Sequence, residues 1–305
     1  MRSSPLAAVV AAALLFPACR TTSLAGGAHV HDAEHRESGH HDAGHDVEVH
    51  RPAALGMDFS RGWSACPDHS HESRCGTPYV HSFHTEPAFL GRDLLVHAER
   101  EGDEHVVEPE LEWALTRRLL LVAELPYTWT DDADGLGDSG LGLRGLFLET
   151  DRLLLSGQVS FEFPTGVGGL GAGETAVAPS LLAWADLGGW VTAQAGLTFA
   201  CGTESHDTEV SWGAVLTKSF PFHPLFAGSR HDDGHGHASV LSLMLEGRGA
   251  YGLSGAEEGA SSHEALLGVV APFTRDVEIR TAWTLRWDDE DGATSGWVVG
   301  LVFHL

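Results

Sequence analysis

The sequence predicts an all-β protein: a transmembrane antiparallel β-barrel of about twelve strands, preceded by a disordered His-rich N-terminal tail. Three observations carry that prediction. From about residue 91 onward, apolar and polar residues alternate with period two, in segments of about ten to twelve. Short turns separate the segments on one side, and loops rich in Asp, Glu, Gly and Ser separate them on the other. The final segment keeps an apolar residue at every second position to the end of the chain. Successive side chains of a strand point to opposite faces, so a strand sorts such a sequence completely, whereas a helix would mix the two sets.

Composition narrows the class. With 305 residues, 43% hydrophobic, and 37 Gly, the chain is too apolar and too regularly patterned to be disordered throughout. Its formal net charge is −25, from 18 Lys and Arg against 43 Asp and Glu. That balance excludes a nucleic-acid partner, because phosphate contacts need clustered cations. No stretch of about 18 uncharged apolar residues occurs in the mature chain, so transmembrane helices are excluded there. Twenty His are the outlier, and they point to borderline metals.

The N-terminus reads as an address. Arg2 precedes an apolar run from Leu6 to Phe16, the length of a signal peptide. Residues 1–25 form that peptide if cleavage follows Ser23-Leu24-Ala25; the alternative is lipoprotein-type cleavage before Cys19. Export permits disulfides, and Cys66 and Cys75 enclose a short loop that a local bridge would close, leaving Cys201 over. Residues 26–75 form the tail. Seven His between Ala28 and His50 sit among Asp, Glu, Gly and Ala with no apolar periodicity. The barrel domain is 76–305, including a transitional segment to about residue 90.

Twelve strands follow: roughly 91–100, 105–115, 118–129, 138–149, 152–163, 174–185, 189–200, 209–220, 238–251, 263–273, 276–287 and 294–305. In the second, Val107, Leu111, Trp113 and Leu115 oppose Glu108, Glu110 and Glu112. In the third, Leu119, Leu121, Ala123, Leu125, Tyr127 and Trp129 oppose a face carrying Glu124. In the fifth, Leu153, Leu155, Val159, Phe161 and Phe163 oppose Ser156, Gln158, Ser160 and Glu162. In the ninth, Leu241, Leu243 and Leu245 oppose Ser242, Glu246 and Arg248. The eleventh separates Val277, Ile279, Thr281, Trp283, Leu285 and Trp287 from Glu278, Arg280, Ala282, Thr284 and Arg286. Such lengths suit tilted membrane strands of about 9–11 residues rather than soluble strands of about 5–6. Twelve is also even, as in bacterial single-chain barrels.

Loop lengths give an independent check. Counted back from the C-terminus, the periplasmic turns fall near Thr116-Arg117, Thr150-Asp151, Asp186 to Gly188, and Thr274-Arg275. The outer loops fall near 130–137, 164–173, 201–208, 252–262 and 288–293. Segment 221–237 is long although parity makes it periplasmic, and the first outer connection, 101–104, is short. A secreted β-sandwich also alternates. Against it stand aromatic residues near strand ends, as in membrane girdles, and charges in mid-strand, where a lumen would hydrate them.

The last strand, with Trp297, Val299, Leu301, Phe303 and Leu305, resembles the C-terminal sorting signal of outer-membrane barrels, although that pattern usually ends in Phe. The resemblance implies recognition by the barrel assembly machinery. Glu124-Leu125-Pro126-Tyr127, then Gly137-Asp138-Ser139-Gly140-Leu141-Gly142-Leu143-Arg144, then Phe161-Glu162-Phe163-Pro164-Thr165-Gly166 and the Gly-rich stretch to Glu174, are similar to the transporter-like barrel family named for the meta pathway of phenol degradation. The similarity covers most of 100–305. It implies a Gram-negative outer-membrane barrel, embedded in lipid, with a proposed transport role. The family name labels a genetic neighbourhood and does not establish an aromatic substrate.

Two sets of site residues follow. Glu108, Glu110, Glu112, Glu124, Glu162, Glu246 and Glu278 are expected in the lumen with Arg144, Arg248, Arg280 and Arg286, where opposite walls would pair and could plug the barrel or shape an eyelet. An open lumen of that acidity would prefer cations or neutral solutes. His29, His31, His35, His40, His41 and His45 in the tail, and His231, His235 and His237 in the 221–237 segment, sit among carboxylates. Such ligands suit Zn²⁺, Ni²⁺, Co²⁺ or Cu²⁺ at moderate affinity, on the periplasmic side by strand parity; no cofactor is required. His81 and His84 offer further ligands or packing at the barrel mouth. No nucleophile elbow, zincin helix or phosphate loop occurs, so the reading is not an enzyme. It is a porin-like transporter for a small solute or divalent metal; the alternative is a metal-buffering or structural surface protein that uses the barrel only as an anchor.

Overall fold

Alternation in the sequence becomes pairing in space. The structure, a computed structural model, describes residues 53–64, 71–102, 104–130, 133–222, 240–256, 258–274, 276–288 and 292–305. Fourteen strands run through them: β1 (Arg92–Glu101), β2 (Glu104–Ala114), β3 (Leu119–Glu124), β4 (Tyr127–Trp129), β5 (Asp134–Leu136), β6 (Ser139–Glu149), β7 (Leu153–Phe163), β8 (Ala176–Gly188), β9 (Val191–Gly202), β10 (Thr208–Pro221), β11 (Val240–Ser254), β12 (Ser261–Pro272), β13 (Val277–Asp288) and β14 (Gly292–His304). The strands β3 and β4 both pair with β2 and form one stave, interrupted at Leu125-Pro126 because proline brings no N–H to the ladder. The pair β5 and β6 forms the next stave. The wall therefore has twelve staves.

Every neighbouring pair is antiparallel, and the ring closes. β1 pairs with β2 from Arg92↔Trp113 and with β14 from Asp93↔His304 to Arg100↔Trp297. Closure leaves no unpaired edge, the condition a sheet must meet to sit in hydrocarbon. No helix among the described residues is long and apolar enough to cross a membrane. The segments read as signal peptide and His-rich tail up to residue 52, and the β10–β11 connection at 223–239, lie outside the described residues.

Strand ends differ from the sequence reading by a few residues, and two of them show why. The hairpin β4–β5 extends pairing to Trp129↔Asp134, so the outer loop expected at 130–137 shrinks to four residues. Tyr127 donates its hydroxyl to Asp134 at 3.0 Å, and Thr130 N–H donates to Ala133 at 2.8 Å, which fastens the turn. At the other end, β8 runs on to Gly188, past the turn expected at Asp186 to Gly188. The chain reverses at Gly189-Trp190 instead, where positive φ of 59° and 61° is adopted.

The outward face is apolar. Leu143, Leu181, Leu197, Leu245, Leu267 and Trp283 are all roughly half exposed, and Trp283 lies directly opposite Trp297 across the β13–β14 ladder. Large side chains in such a belt have no water-soluble rationale, and they match the lipid face of a spanning barrel. Trp297, Val299 and Leu305 of the last strand share this face, each at least 41% exposed.

A charge placed on the belt should therefore fail. Leu267, 63% exposed on β12, is the test position. Leu267→Arg is expected to cost about 2–4 kcal/mol if it sits near the bilayer midplane. Urea unfolding in lipid and the mobility of unheated protein on gels measure the loss; an unchanged midpoint would place this face away from lipid.

Candidate functional site

The inward face does not enclose an open water column at the level of its central charges. Residues 77–90 enter from the end where β1 begins and β14 finishes, run inside the ring, and return to β1. Val80, Phe83, Ala88 and Phe89 of this loop are at most 4% exposed. Residues 71–79 form a small hairpin at its root, with Tyr79 N–H donating to His71 at 2.8 Å and Ser73 N–H to Thr77 at 2.8 Å. Thr77 hydroxyl donates to Asp186 at 2.7 Å, tying the root to the end of β8.

A loop inside a barrel presents backbone donors and acceptors that strand partners cannot reach, and each must be satisfied. Wall side chains do this. Glu246 on β11 accepts from the backbone N–H of Phe83 (2.8 Å), His84 (3.1 Å) and Thr85 (2.6 Å), and from the Thr85 hydroxyl (2.7 Å). Arg280 on β13 donates to Ser82 carbonyl at 2.8 Å, with Phe83 stacked at 5.2 Å. Gln194 on β9 donates to Val80 carbonyl at 2.8 Å, and Ser156 on β7 to Ala88 carbonyl at 2.5 Å. Arg144 on β6 donates to Phe89 carbonyl at 3.3 Å, to Glu112 at 2.7 Å, to Gln158 at 2.7 Å, and to Glu86 of the loop itself.

Space is reserved as well as polarity. A Cβ on Gly213 would collide with Thr85, and a Cβ on Gly268 would collide with the Phe83 ring. Around these contacts, Val80 and Phe83 pack with Val215, Met244, Leu266, Val270, Ala282 and Val298. A second cluster joins Ala88 and Phe89 to Leu146, Leu154, Leu182 and Trp184. The inner wall is thus mixed rather than uniformly polar, since part of it packs against the loop.

The chain before the loop closes the rim. Leu55 is 1% exposed, and Glu149 N–H donates to its carbonyl at 2.8 Å. Arg118 donates to the carbonyls of Gly56 (2.7 Å), Arg61 (2.5 Å) and Leu146 (2.9 Å). Within residues 53–64 and 71–75, read from sequence as tail, Leu55 and Ser73 are buried, whereas Met57, Phe59 and Trp63 are exposed. At the opposite end an acidic cavity of about 410 Å³ is lined by Glu104, Asp138, Glu162 and the loop at 169–172. Asp138 accepts from Gly166 and Ala172 N–H at 2.7 Å each. In the outer loops, the Ser205 hydroxyl and the backbone N–H groups of Ser205 and Glu204 hold the Glu174 carboxyl below its usual range.

The residues read from sequence fall into three groups. Glu110, Glu112, Arg144, Glu246 and Arg280 are at most 9% exposed. The expectation that water would hydrate mid-strand charges fails for them, because the loop replaces the water. Glu108, Glu124, Arg248, Glu278 and Arg286 are partly exposed on the same inner face, Arg248 pairing with Glu264, while Glu162 is exposed at the outer cavity. The histidines His29, His31, His35, His40, His41, His45, His231, His235 and His237, and Cys66, lie outside the described residues. His81 and His84 lie within the lumen rather than at its mouth, 4% exposed in the case of His81. Sequence reasoning missed Asp93, Glu86, Gln194, Ser156 and Gly268, whose roles appear only when the loop is in place.

No protein-family model and no curated protein sequence matches the chain. Solved structures do. An outer membrane channel from Pseudomonas putida F1 superposes with a TM-score of 0.51 at 16% identity, over 73% of this chain and 99% of that one. The NanC porin superposes with a TM-score of 0.50 at 10% identity, over 70% of this chain and 100% of that one. The fold is the closed antiparallel barrel of these two structures.

Glu246 is the most heavily used loop contact. Glu246→Ala leaves three buried backbone donors unmatched, and each charged hydrogen bond is worth about 1.5–3 kcal/mol. The expected outcome is a folded barrel with a lowered urea midpoint and faster proteolysis within residues 77–90. Equal protease resistance in the variant would show that Glu246 does not hold the loop.

Proposed function

We propose that this chain is a porin-like channel of a Gram-negative outer membrane, passing a small solute or a divalent metal ion, with residues 77–90 as its resting closure. One observation carries the reading: the occupant is held largely by polar side chains acting on its backbone, at Glu246, Arg280, Gln194, Ser156 and Arg144. Water can take over such bonds when a segment withdraws. The acidic cavity beyond the loop supports preference for cations or neutral solutes. On this reading the last strand addresses the chain to the assembly machinery, and the His-rich tail and 231–237 segment capture Zn²⁺, Ni²⁺, Co²⁺ or Cu²⁺ on the periplasmic side. The similarity to the phenol meta-pathway barrels bears on architecture and leaves the solute to experiment.

The apolar packing of Val80 and Phe83 favours a second reading, a metal-buffering or structural surface protein whose barrel is an anchor. Planar-bilayer recording separates the two. Gly268→Leu fills the space of the Phe83 ring and should raise conductance several-fold over wild type. Silence in both proteins, with calorimetric uptake of Zn²⁺ retained, would favour the anchor. Absence of micromolar uptake of Zn²⁺, Ni²⁺ and Cu²⁺ would end the metal role of the tail.

A further inference from the structure

The wall beside the loop carries a cluster that the closure does not use up. His81 of the loop, Asp93 of β1 and Glu112 of β2 are 4%, 1% and 0% exposed. One donor atom from each lies within 4.8 Å of the other two. His81 Nε2 sits 3.2 Å from Asp93 Oδ2, a hydrogen bond in which the ring nitrogen donates. Nδ1 of the same ring faces Glu112 Oε2 at 3.8 Å. Glu112 Oε2 is buried with no hydrogen-bond partner, although Oε1 of the same carboxylate is paired with Arg144 at 2.7 Å. A buried carboxylate oxygen with no donor is costly, and a cation placed beside it removes that cost.

We propose that His81, Asp93 and Glu112 bind one divalent transition-metal ion, of the Zn²⁺ class, that clamps the loop to the barrel wall. An ion at about 2.0–2.2 Å from nitrogen and carboxylate oxygen spans such a gap after a contraction of a few tenths of an ångström. It supplies the missing partner of Glu112 Oε2 and balances a pocket in which Glu86 and Glu112 share Arg144 and Glu110 lies close by. On binding, Asp93 Oδ2 exchanges its contact with His81 Nε2 for the ion. His304 keeps the other oxygen of Asp93 at 2.7 Å, so the carboxylate stays anchored. Because the ligands come from the loop, β1 and β2, binding links residue 81 to the wall directly. The site does not depend on whether the lumen conducts.

The test uses the full mature chain in detergent, stripped with chelator and titrated with Zn²⁺, reading the thermal unfolding of the barrel by circular dichroism. Ions captured by a tail outside the barrel add little to its midpoint, whereas an ion bound only by the folded wall raises it. Wild type should gain several degrees at micromolar Zn²⁺, and a chain with the seven tail histidines changed to Ala should gain the same. His81→Ala and the gentler His81→Gln should lose the shift while folding without metal. An equal shift in the His81 variants, a shift abolished by the tail changes alone, or no shift in wild type would overturn the proposal. Should both His81 variants fail to fold, Glu112→Gln, which keeps a hydrogen-bond acceptor for Arg144, gives the same reading.

Discussion

The structure depends on one constraint: a segment of irregular backbone inside a closed cylinder must find its hydrogen-bond partners among the cylinder's side chains. Glu246 meets three consecutive N–H groups, and Arg280, Gln194, Ser156 and Arg144 meet carbonyls spread from Val80 to Phe89. The buried charges of Glu112, Arg144, Glu246 and Arg280 each have at least one hydrogen bond or ion pair, since a wholly unpaired buried charge would be prohibitive. The acidic and basic residues of the inner face are therefore best understood together with the loop. Arg144 shows this most plainly, joining Glu112 on the wall, Glu86 on the loop and the carbonyl of Phe89.

The outer face obeys a simpler rule. Lipid offers neither donors nor acceptors, so the ring must close and its outward side chains must be apolar. The two rules act on alternate residues of the same strand. On β11, Leu243 and Leu245 meet the outside while Met244 and Glu246 meet the loop, one hydrophobic and one charged. Inner positions can be either, provided that they complement what lies against them.

This explains what the sequence revealed and what it hid. The outward row needs only period two and apolarity, so Val277 to Trp287 and Trp297 to Leu305 were legible as strands, and the twelve staves with them. Pro126 and the Gly189-Trp190 turn moved boundaries by a few residues, because local hydrogen bonds at Asp134 and Asp186 decide them. The loop was hidden. Residues 77–90 have no period, and their partners lie far along the chain, as with Gln194 and Val80, 114 residues apart. Gly213 and Gly268 read as ordinary strand glycines until Thr85 and Phe83 occupy the space beside them. The lumen charges were identified as a set, but their dryness was not, because alternation says which face a residue takes and nothing of what covers it.

The most direct test of the account is whether the loop lies where these contacts require. Thr85 and Gly213 are close enough that a Cβ on residue 213 would meet the Thr85 side chain. With the native cysteines changed to Ser, the pair Thr85→Cys and Gly213→Cys should oxidise within one chain in folded, membrane-inserted protein, seen by peptide mapping as a bridge between β10 and the loop. Free thiols at both positions under oxidant, in protein that retains barrel circular dichroism, would contradict an occupied lumen.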